Sequence, residues 1–443
     1  MFERLRAFDE RFEATHRKRL FDWRRDHAFV GKYVGVFRIP GATVEILPRV
    51  DGASGDGGDD TLCRANLLMM MAIAGHVELD EVDVAELAQR DTPVSQFLVD
   101  LYARRLRTQL RRGLDRSYRE RREDLSVLRG RLDFTRHVRQ NIARRDRFSV
   151  RHDVHTQDTW INRVFLATCA RLLRLAGPTK TQECLAECVG LLDGVARVEV
   201  RDHHFDDLIH LTRQTRRFST LLSLSRLFLL GDSSPIQAAG ATASYAFVFE
   251  MERLYEDFIA GFLKKHVFTR SGLGHLEVVT QGRGLATSLL TERLASGKTR
   301  KHLHMKPDLL VQPQDGSSGE RIVVDTKWKT LEPGKGWRQD VKRDDLYQMY
   351  AYSYRFDAPR CILLYPHVPG ARDQDLEIEG RLDDASRRVV EIRTVDVGVE
   401  LYSRRGREAM AQALVDMLVP GADLEVLGRE RSARTAWEAH DHV

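Results

Sequence analysis

Within the run RIVVDTKWK (321–329), Asp325 and Lys327 stand two positions apart among residues that otherwise belong in a buried strand. Side chains alternate across a strand, so the pair shares one face of a sheet. A carboxylate in the middle of an apolar strand is costly to bury unless it is paired or metal-bound. A second aspartate, Asp308, opens the preceding apolar run PDLLVQ (307–312), and the short, turn-rich link QPQDGSSGE predicts antiparallel neighbours whose carboxylates converge. Two converging carboxylates suit Mg²⁺ (or Mn²⁺), which takes few protein ligands and keeps several waters. A bound ion lowers the pKa of an attacking water and stabilises charge on phosphoryl oxygens. The adjacent ammonium of Lys327 would orient that water or neutralise developing charge. The competing reading is an edge-strand ion pair between Asp325 and Lys327, with Asp308 a turn residue after Pro307. D-x-K alone is common; its setting after P-D on a strand and before a helix bearing Gln348 and Tyr352 favours the catalytic reading.

Three acids on the segment FEMERLYEDF, Glu250, Glu252 and Glu256, are further candidates, each otherwise a solvated helix carboxylate. Gln348 and Tyr352 lie one turn apart and share a helix face. They contact a nucleic-acid strand beside the metal or serve as polar-capped core packing, and the residues alone do not choose. Lys329 reads as a phosphate contact or a solvated strand end.

These residues need elements to hold them. SYAFVFEMERLYEDFIAGFLKKHV (244–267) predicts an amphipathic helix, followed by strands at HLEVVTQ (275–281), PDLLVQ and RIVVDTKWK. A helix at 343–356 and a strand RCILLYP (360–366) complete an α/β order of helices on a mixed sheet. VVEIRTVDV (389–397) would add an edge strand and REAMAQALVDML a closing helix. Upstream, FVGKYVGVFRIPGATVEILPRV (29–50) reads as short antiparallel strands punctuated by Gly35, Pro40 and Gly41. DGASGDGGDD (51–60) reads as a mobile loop, Leu62–Ala74 as an apolar helix, and a further helix breaks near Pro93. From Thr159 to Leu230 the apolar spacing is helical, ended by GDSS at 231–234. The expected organisation is an amino-terminal α+β domain (1–150), a helical connector (151–240) and an α/β domain (241–443).

At 443 residues the chain exceeds one ordinary core. A net charge of +5 is too small to argue for nucleic-acid binding by itself, but arginine far outnumbers acid between Leu101 and Arg151. That stretch can neutralise phosphates, or it can be a set of solvated helix faces. Cys184 and Cys188 sit one helical turn apart with no second pair to complete a zinc site, and read as buried thiols. The charged amino terminus holds no apolar signal core, and no run approaches the ~18 apolar residues of a membrane span. A cytoplasmic setting and no membrane association are expected.

The PD…DTKWK pair, the FEMERLYEDF helix and DDLYQMYAYSY together resemble the McrC family, nuclease subunits of the McrBC modification-dependent restriction systems and members of the PD-(D/E)xK superfamily. VGVFRIPGATVEILPRV, VLRGRLDF and TQDTWINRVF, in which Asp158 and Asn162 form a D-x-x-x-N pattern, are similar to that family too, so the resemblance runs from about Phe29 to about Val397. It implies a PD-(D/E)xK nuclease core at 241–443, with Asp308 and Asp325 binding divalent metal, Lys327 as the catalytic lysine and Glu256 as the helix acid. Gln348 and Tyr352 match the Q-x-x-x-Y helix of some of these nucleases and, with Lys329, would contact DNA. Thr326 and Trp328 depart from the family's alanine and tyrosine without removing a ligand. The family further implies docking of the amino-terminal part on a McrB-like AAA+ ring, whose GTP hydrolysis it stimulates, and cleavage of double-stranded DNA carrying modified cytosine. No G-x-x-x-x-G-K-[S/T] loop is present, since GDGGDD and EPGKGW fail the spacing, so no nucleotide is expected on this chain itself. Two other readings are a non-catalytic regulator of an AAA+ ring and a stand-alone DNA repair nuclease.

Overall fold

Every residue of the strand carrying Asp325, Ile322–Thr326, is buried, and such a strand requires cover on both faces and a neighbour on each side. In a computed structural model of the chain it has all four. The structure describes residues 1–420 except 26, 40, 49–59, 91, 145, 176, 207–211, 214, 231–245, 270–272, 281–286, 295–297, 315–318, 330, 332–340 and 379–386. The loop expected at 51–60 (apart from Asp60), GDSS and the tail beyond 420 therefore lie outside the described residues. Two units emerge, each assembled from separated segments: Met1–Arg17, Arg38–Ala42 and Ser95–Phe247 in one, and Lys18–Phe37, Thr43–Val94 and Val248–Val443 in the other. The segment 1–150 contributes to both.

The second unit carries a six-stranded mixed sheet. Its strands are β1 (Leu276–Thr280), β4 (Leu309–Pro313), β5 (Ile322–Thr326), β6 (Arg360–Pro366), β7 (Gln374–Glu377) and β8 (Val389–Val395), with β2 (Thr287–Arg293) and β3 (Thr299–Met305) forming a separate antiparallel pair. The spatial order is β7-β8-β6-β5-β4-β1. β4 is antiparallel to β5 and to β1, whereas β5, β6 and β8 run parallel. Residues 389–395, expected at the edge, are instead covered by β7, which pairs antiparallel along Gln374–Glu377. β7 is short and polar, and its sequence offers no apolar alternation to announce it.

Three helices of this unit matter for the site: α1 (Asp60–Ala74), α2 (Met251–Phe262) and α3 (Arg343–Arg355). α3 lays Met349 and Tyr352 against Leu310, Val323, Cys361 and Leu363 on one face of the sheet. α2 buries Met251, Leu254, Tyr255, Phe258, Ile259 and Phe262, the i, i+3, i+4, i+7 stripe of a helix with one apolar side. The single helix expected over 244–267 is in fact a strand, Ala246–Glu250, then α2, then a π-turn over Leu263–Val267. Alternation in AFVFE is compatible with either period, and the sheet partner decides.

α1 fixes the position of α2. A Cβ on Gly261 would meet the carbonyl oxygen of Ile73 at 2.2 Å, so only glycine permits this crossing. Lys265 donates from Nζ to the Ala72 and Ile73 carbonyls at 3.2 and 3.0 Å, satisfying the open end of α1. Asn66, fully buried on α1, donates to the Val397 and Val399 carbonyls and accepts from the Leu401 N–H.

In the first unit, helices Val94–Arg112, Trp160–Leu172, Thr179–Leu191 and Ser219–Leu230 carry the apolar core, with Cys184 and Cys188 buried as expected. Not all arginines of the basic stretch lie on helix faces: Ser117–Leu125 is a strand paired antiparallel over nine residues with Phe148–Thr156. The D-x-x-x-N pair is a brace. Asp158 accepts from Arg163 Nε at 2.7 Å and from the Ala196 N–H at 3.0 Å, and its carboxyl falls to about 2, chiefly through the arginine. Asn162 donates to the Asp115 and Gln157 carbonyls. Among the described residues no helix is long and apolar enough to cross a membrane.

Candidate active site

The register of β4 on β5 pairs Leu309 with Val324. Asp308, one residue before β4, and Asp325, one residue after Val324, therefore meet at the same end of the strand pair, as the antiparallel reading requires. Asp308 is held there: its Oδ2 accepts from the Thr326 N–H at 2.8 Å and from the Thr326 hydroxyl at 3.0 Å. Thr326 thus adds a hydrogen bond that an alanine at this position could not supply. Lys327 continues the parallel ladder by donating its N–H to the Leu364 carbonyl at 2.9 Å. Its Nζ lies 2.7 Å from Asp325 Oδ2 and 3.5 Å from Asp345 Oδ1. The ion pair exists, but β5 is a central strand and not an edge.

A cleft of about 860 Å³ opens over this end of the sheet, with Glu256, Asp308, Lys327, Lys329 and Asp345 among its lining residues. Asp325 lies beneath it, 2 % exposed. Burial, and then the neighbouring Asp308, push the Asp325 carboxyl up to about 7 against the opposing pull of Lys327. Glu256, brought in by α2, is pushed up to about 8 by burial, Asp308, Asp257 and Asp325, with Arg253 opposing. Burial draws the Lys327 ammonium down, yet Asp325, Asp345 and Asp308 together outweigh it and raise its pKa. The lysine stays charged, while Asp325 and Glu256 bind a proton more tightly than free carboxylates do. Such a cluster is relieved by a cation.

The structure gathers Asp308, Asp325, Lys327 and Glu256 around one end of β4 and β5. It separates Glu250 from them chemically: that acid also borders the cleft but pairs with Lys18, and Lys18 and Tyr33 hold it below the usual carboxylate range. Glu252 is exposed. Lys329 is an exposed cleft residue. Tyr352 is a core residue of α3. It is 3 % exposed, in the core beneath α3, and its hydroxyl accepts from Gln348 Nε2 at 2.7 Å and from the Lys306 backbone. Gln348 is half-buried beside it and orients its hydroxyl. Asp345 is the residue that sequence reasoning missed. An acid in the first turn of a helix ordinarily serves the helix dipole, and only the fold brings it to Lys327. Trp328, whose ring lies edge-on to Tyr255 at 5.2 Å, forms another wall of the cleft.

Among the described residues no three His, Cys, Asp or Glu side chains already form a set that could hold a metal ion. The donors available are nevertheless hard carboxylate oxygens, two of them on acids with raised proton affinity, in an open cleft with room for water. They fit Mg²⁺ or Mn²⁺, which commonly binds through one or two carboxylates, and would not suit a soft or fully caged ion.

The model of the family described as McrBC 5-methylcytosine restriction system component matches residues 29–366. The chain is 23% identical over 280 residues to the type IV methyl-directed restriction enzyme EcoKMcrBC of Escherichia coli K12, a match covering 61% of this chain and 76% of that protein. It is also similar in fold to a chain of the half-complex of Thermococcus gammatolerans McrB AAA+ hexamers with bound McrC. There the TM-score is 0.65 at 20% identity, over 93% of this chain and 92% of the other. The chain belongs to the McrBC 5-methylcytosine restriction system component family.

Proposed function

Taking that family as the premise, we propose that this chain is the McrC-type nuclease subunit of a McrBC-type restriction complex, hydrolysing phosphodiester bonds in double-stranded DNA that carries modified cytosine. The observation that carries the reading is the convergence of Asp308 and Asp325 at one end of β4 and β5, with the Lys327 ammonium 2.7 Å from Asp325. The α/β unit around them is read as a PD-(D/E)xK core, since its central β4–β5 pair carries P-D and D-x-K in the order that superfamily uses.

Asp308 and Asp325 would hold Mg²⁺ or Mn²⁺, with Glu256 as the third acid facing them. When bound, the ion supplies Lewis acidity toward a phosphoryl oxygen and a water made acidic enough to attack. The chain's own residues do the rest. Thr326 locks the Asp308 carboxylate in one orientation through two hydrogen bonds. Lys327 keeps its proton, because three carboxylates surround it, and presents a fixed positive charge where negative charge develops. Asp345 steadies that ammonium from the side of α3. Lys329, exposed at the rim, would contact a flanking phosphate, and Tyr352 with Gln348 sets the position of α3 against Lys306.

The partner is read as a McrB-like AAA+ ring whose GTP hydrolysis this chain stimulates, by analogy with the solved assembly of McrB hexamers with bound McrC. The test is Asp325→Ala and Lys327→Ala protein assembled with its motor partner on methylated duplex DNA with Mg²⁺. Each is expected to lose cleavage by about 10²–10³-fold or more while nucleotide hydrolysis by the ring continues, the scale of losing one transition-state charge contact. Undiminished cleavage by either variant would refute the site. A wild-type complex that turns over nucleotide but cuts no DNA would make the chain a regulator.

A further inference from the structure

β2 and β3 form a two-stranded ribbon outside the six-stranded sheet, paired from Thr287↔Met305 to Arg293↔Thr299. It interrupts the chain between β1 and β4, which are themselves paired at Thr280↔Leu309. The ribbon therefore grows from the end of the sheet where Asp308 stands, and the residues at its two roots, Thr280 and Lys306, both border the catalytic cleft. Six residue steps at ~3.3 Å give it a reach of roughly 20 Å.

Almost nothing covers it. Leu290 to Arg293 on β2 are exposed, as are Thr299 to Lys301, Leu303 and His304 on β3. Leu289, Leu290 and Leu303 are 49 %, 55 % and 62 % exposed. Apart from Met305 at its root, which is buried in the core, none of its described side chains is buried; such a ribbon contributes little to its own stability, so its presence at the site calls for another explanation. Its charge supplies one. The described residues of the ribbon and its lower root carry Arg293, Lys298, Arg300, Lys301 and Lys306 against a single carboxylate, Glu292. That carboxylate is engaged by His302, 2.7 Å away. Across the ladder Lys301 stands opposite Thr291 and Arg293 opposite Thr299, so neither cation has an acid facing it.

We propose that this ribbon is a DNA-binding arm that lies along the duplex beside the scissile phosphate, its cations on backbone phosphates and its exposed leucines against the groove wall. The proposal rests on the nuclease reading and names how that site would hold its substrate. The major groove of B-DNA admits a two-stranded β-ribbon. Over roughly 20 Å a duplex presents about a dozen phosphates, at one per ~1.7 Å of axis. Lys306 and Lys329, on the cleft itself, extend the same positive track to the carboxylates, where the ion and Lys327 meet the phosphate to be cut.

The experiment measures binding of the full chain to a short fluorescent DNA duplex in EDTA, so that no cutting occurs, across a salt series. It compares wild type, Asp325→Ala, and a triple variant Lys298→Ser, Arg300→Ser, Lys301→Ser. Counterion release contributes roughly 0.9 to the slope of log affinity on log salt per phosphate contact, so the triple variant should lose about 2–3 from that slope and bind about 10- to 100-fold more weakly at low salt. Asp325→Ala should bind at least as well as wild type while failing to cut when Mg²⁺ and the partner are added. No duplex binding by wild type, or equal affinity and slope in wild type and the triple variant, overturns the arm, and loss of cutting in Asp325→Ala leaves the nuclease reading standing independently. A triple variant that binds DNA normally but no longer assembles with an AAA+ ring also overturns it and makes the ribbon a protein-docking element.

Discussion

Replacing Glu256 by glutamine should change stability in a pH-dependent direction that the acidic cluster dictates. In the metal-free chain the Glu256 carboxyl is raised from its ordinary 4.5 to about 8, by burial first and then by Asp308. A carboxyl raised on folding contributes stability fully below its unfolded pKa and loses it as pH climbs through the folded value. Wild type is therefore destabilised progressively between about pH 4.5 and pH 8, whereas glutamine imitates the protonated form throughout. At about 1.4 kcal/mol per tenfold change in proton affinity, a fully shielded group would give about 5 kcal/mol. Glu256 is only partly buried, and solvent screening reduces the expectation to about 2 kcal/mol. Denaturant unfolding of the full chain in EDTA at pH 5 and pH 9, followed by a probe of the second unit, checks this. Glu256→Gln should match wild type near pH 5 and exceed it by about 2 kcal/mol at pH 9. Adding Mg²⁺ at pH 9 should narrow the gap, because the ion relieves the repulsion that glutamine removes. A variant equally destabilised at both pH values would show that Glu256 serves only in packing and would refute the electrostatic account.

Three further outcomes follow from the same structure. Asn66→Ala leaves two carbonyls and one N–H of residues 397–401 without their buried partner, and should lower unfolding free energy by about 3 kcal/mol in denaturant melts, several times a surface substitution. Gly261→Ala drives a methyl into the Ile73 carbonyl and forces α2 away from α1; about 2 kcal/mol of stability should go, and with the partner complex the cleavage rate should fall because Glu256 travels with α2. Tyr352→Phe removes the acceptor for Gln348 and the Lys306 backbone; a loss of about 1–2 kcal/mol in thermal or chemical unfolding is expected, with DNA affinity unchanged, since the ring is packed in the core.

The strands of the second unit were legible because burial on both faces leaves near-continuous apolar runs, and β4, β5 and β6 all show them. Asp325 stood out for the same reason, as a charge inside such a run. What could not be read is what depends on distant partners. The β2–β3 ribbon buries only Met305 at its root, so TSLLTER and TRKHLHM carry no apolar period to detect. Asp345 looks like any acid at a helix start until α3 packs on the sheet. Residues 246–250 satisfy a helical period as well as a strand, and only pairing assigns them. The role of α1 as the support of α2 joins residues nearly two hundred positions apart, through a glycine and a lysine that carry no local signature. Gln348 and Tyr352 give two readings of equal merit in sequence, and only the fold shows Tyr352 buried with Gln348 half-buried beside it.

In the proposed site Asp308 and Asp325 would together hold a divalent cation beside Lys327. Anomalous scattering at the manganese edge, from crystals of the full chain grown with Mn²⁺, should give a peak between the two aspartates with carboxylate oxygens at about 2.1–2.2 Å, and Asp325→Asn crystals should lack it. Manganese found only elsewhere on the chain, or undiminished in the asparagine variant, would contradict the claim.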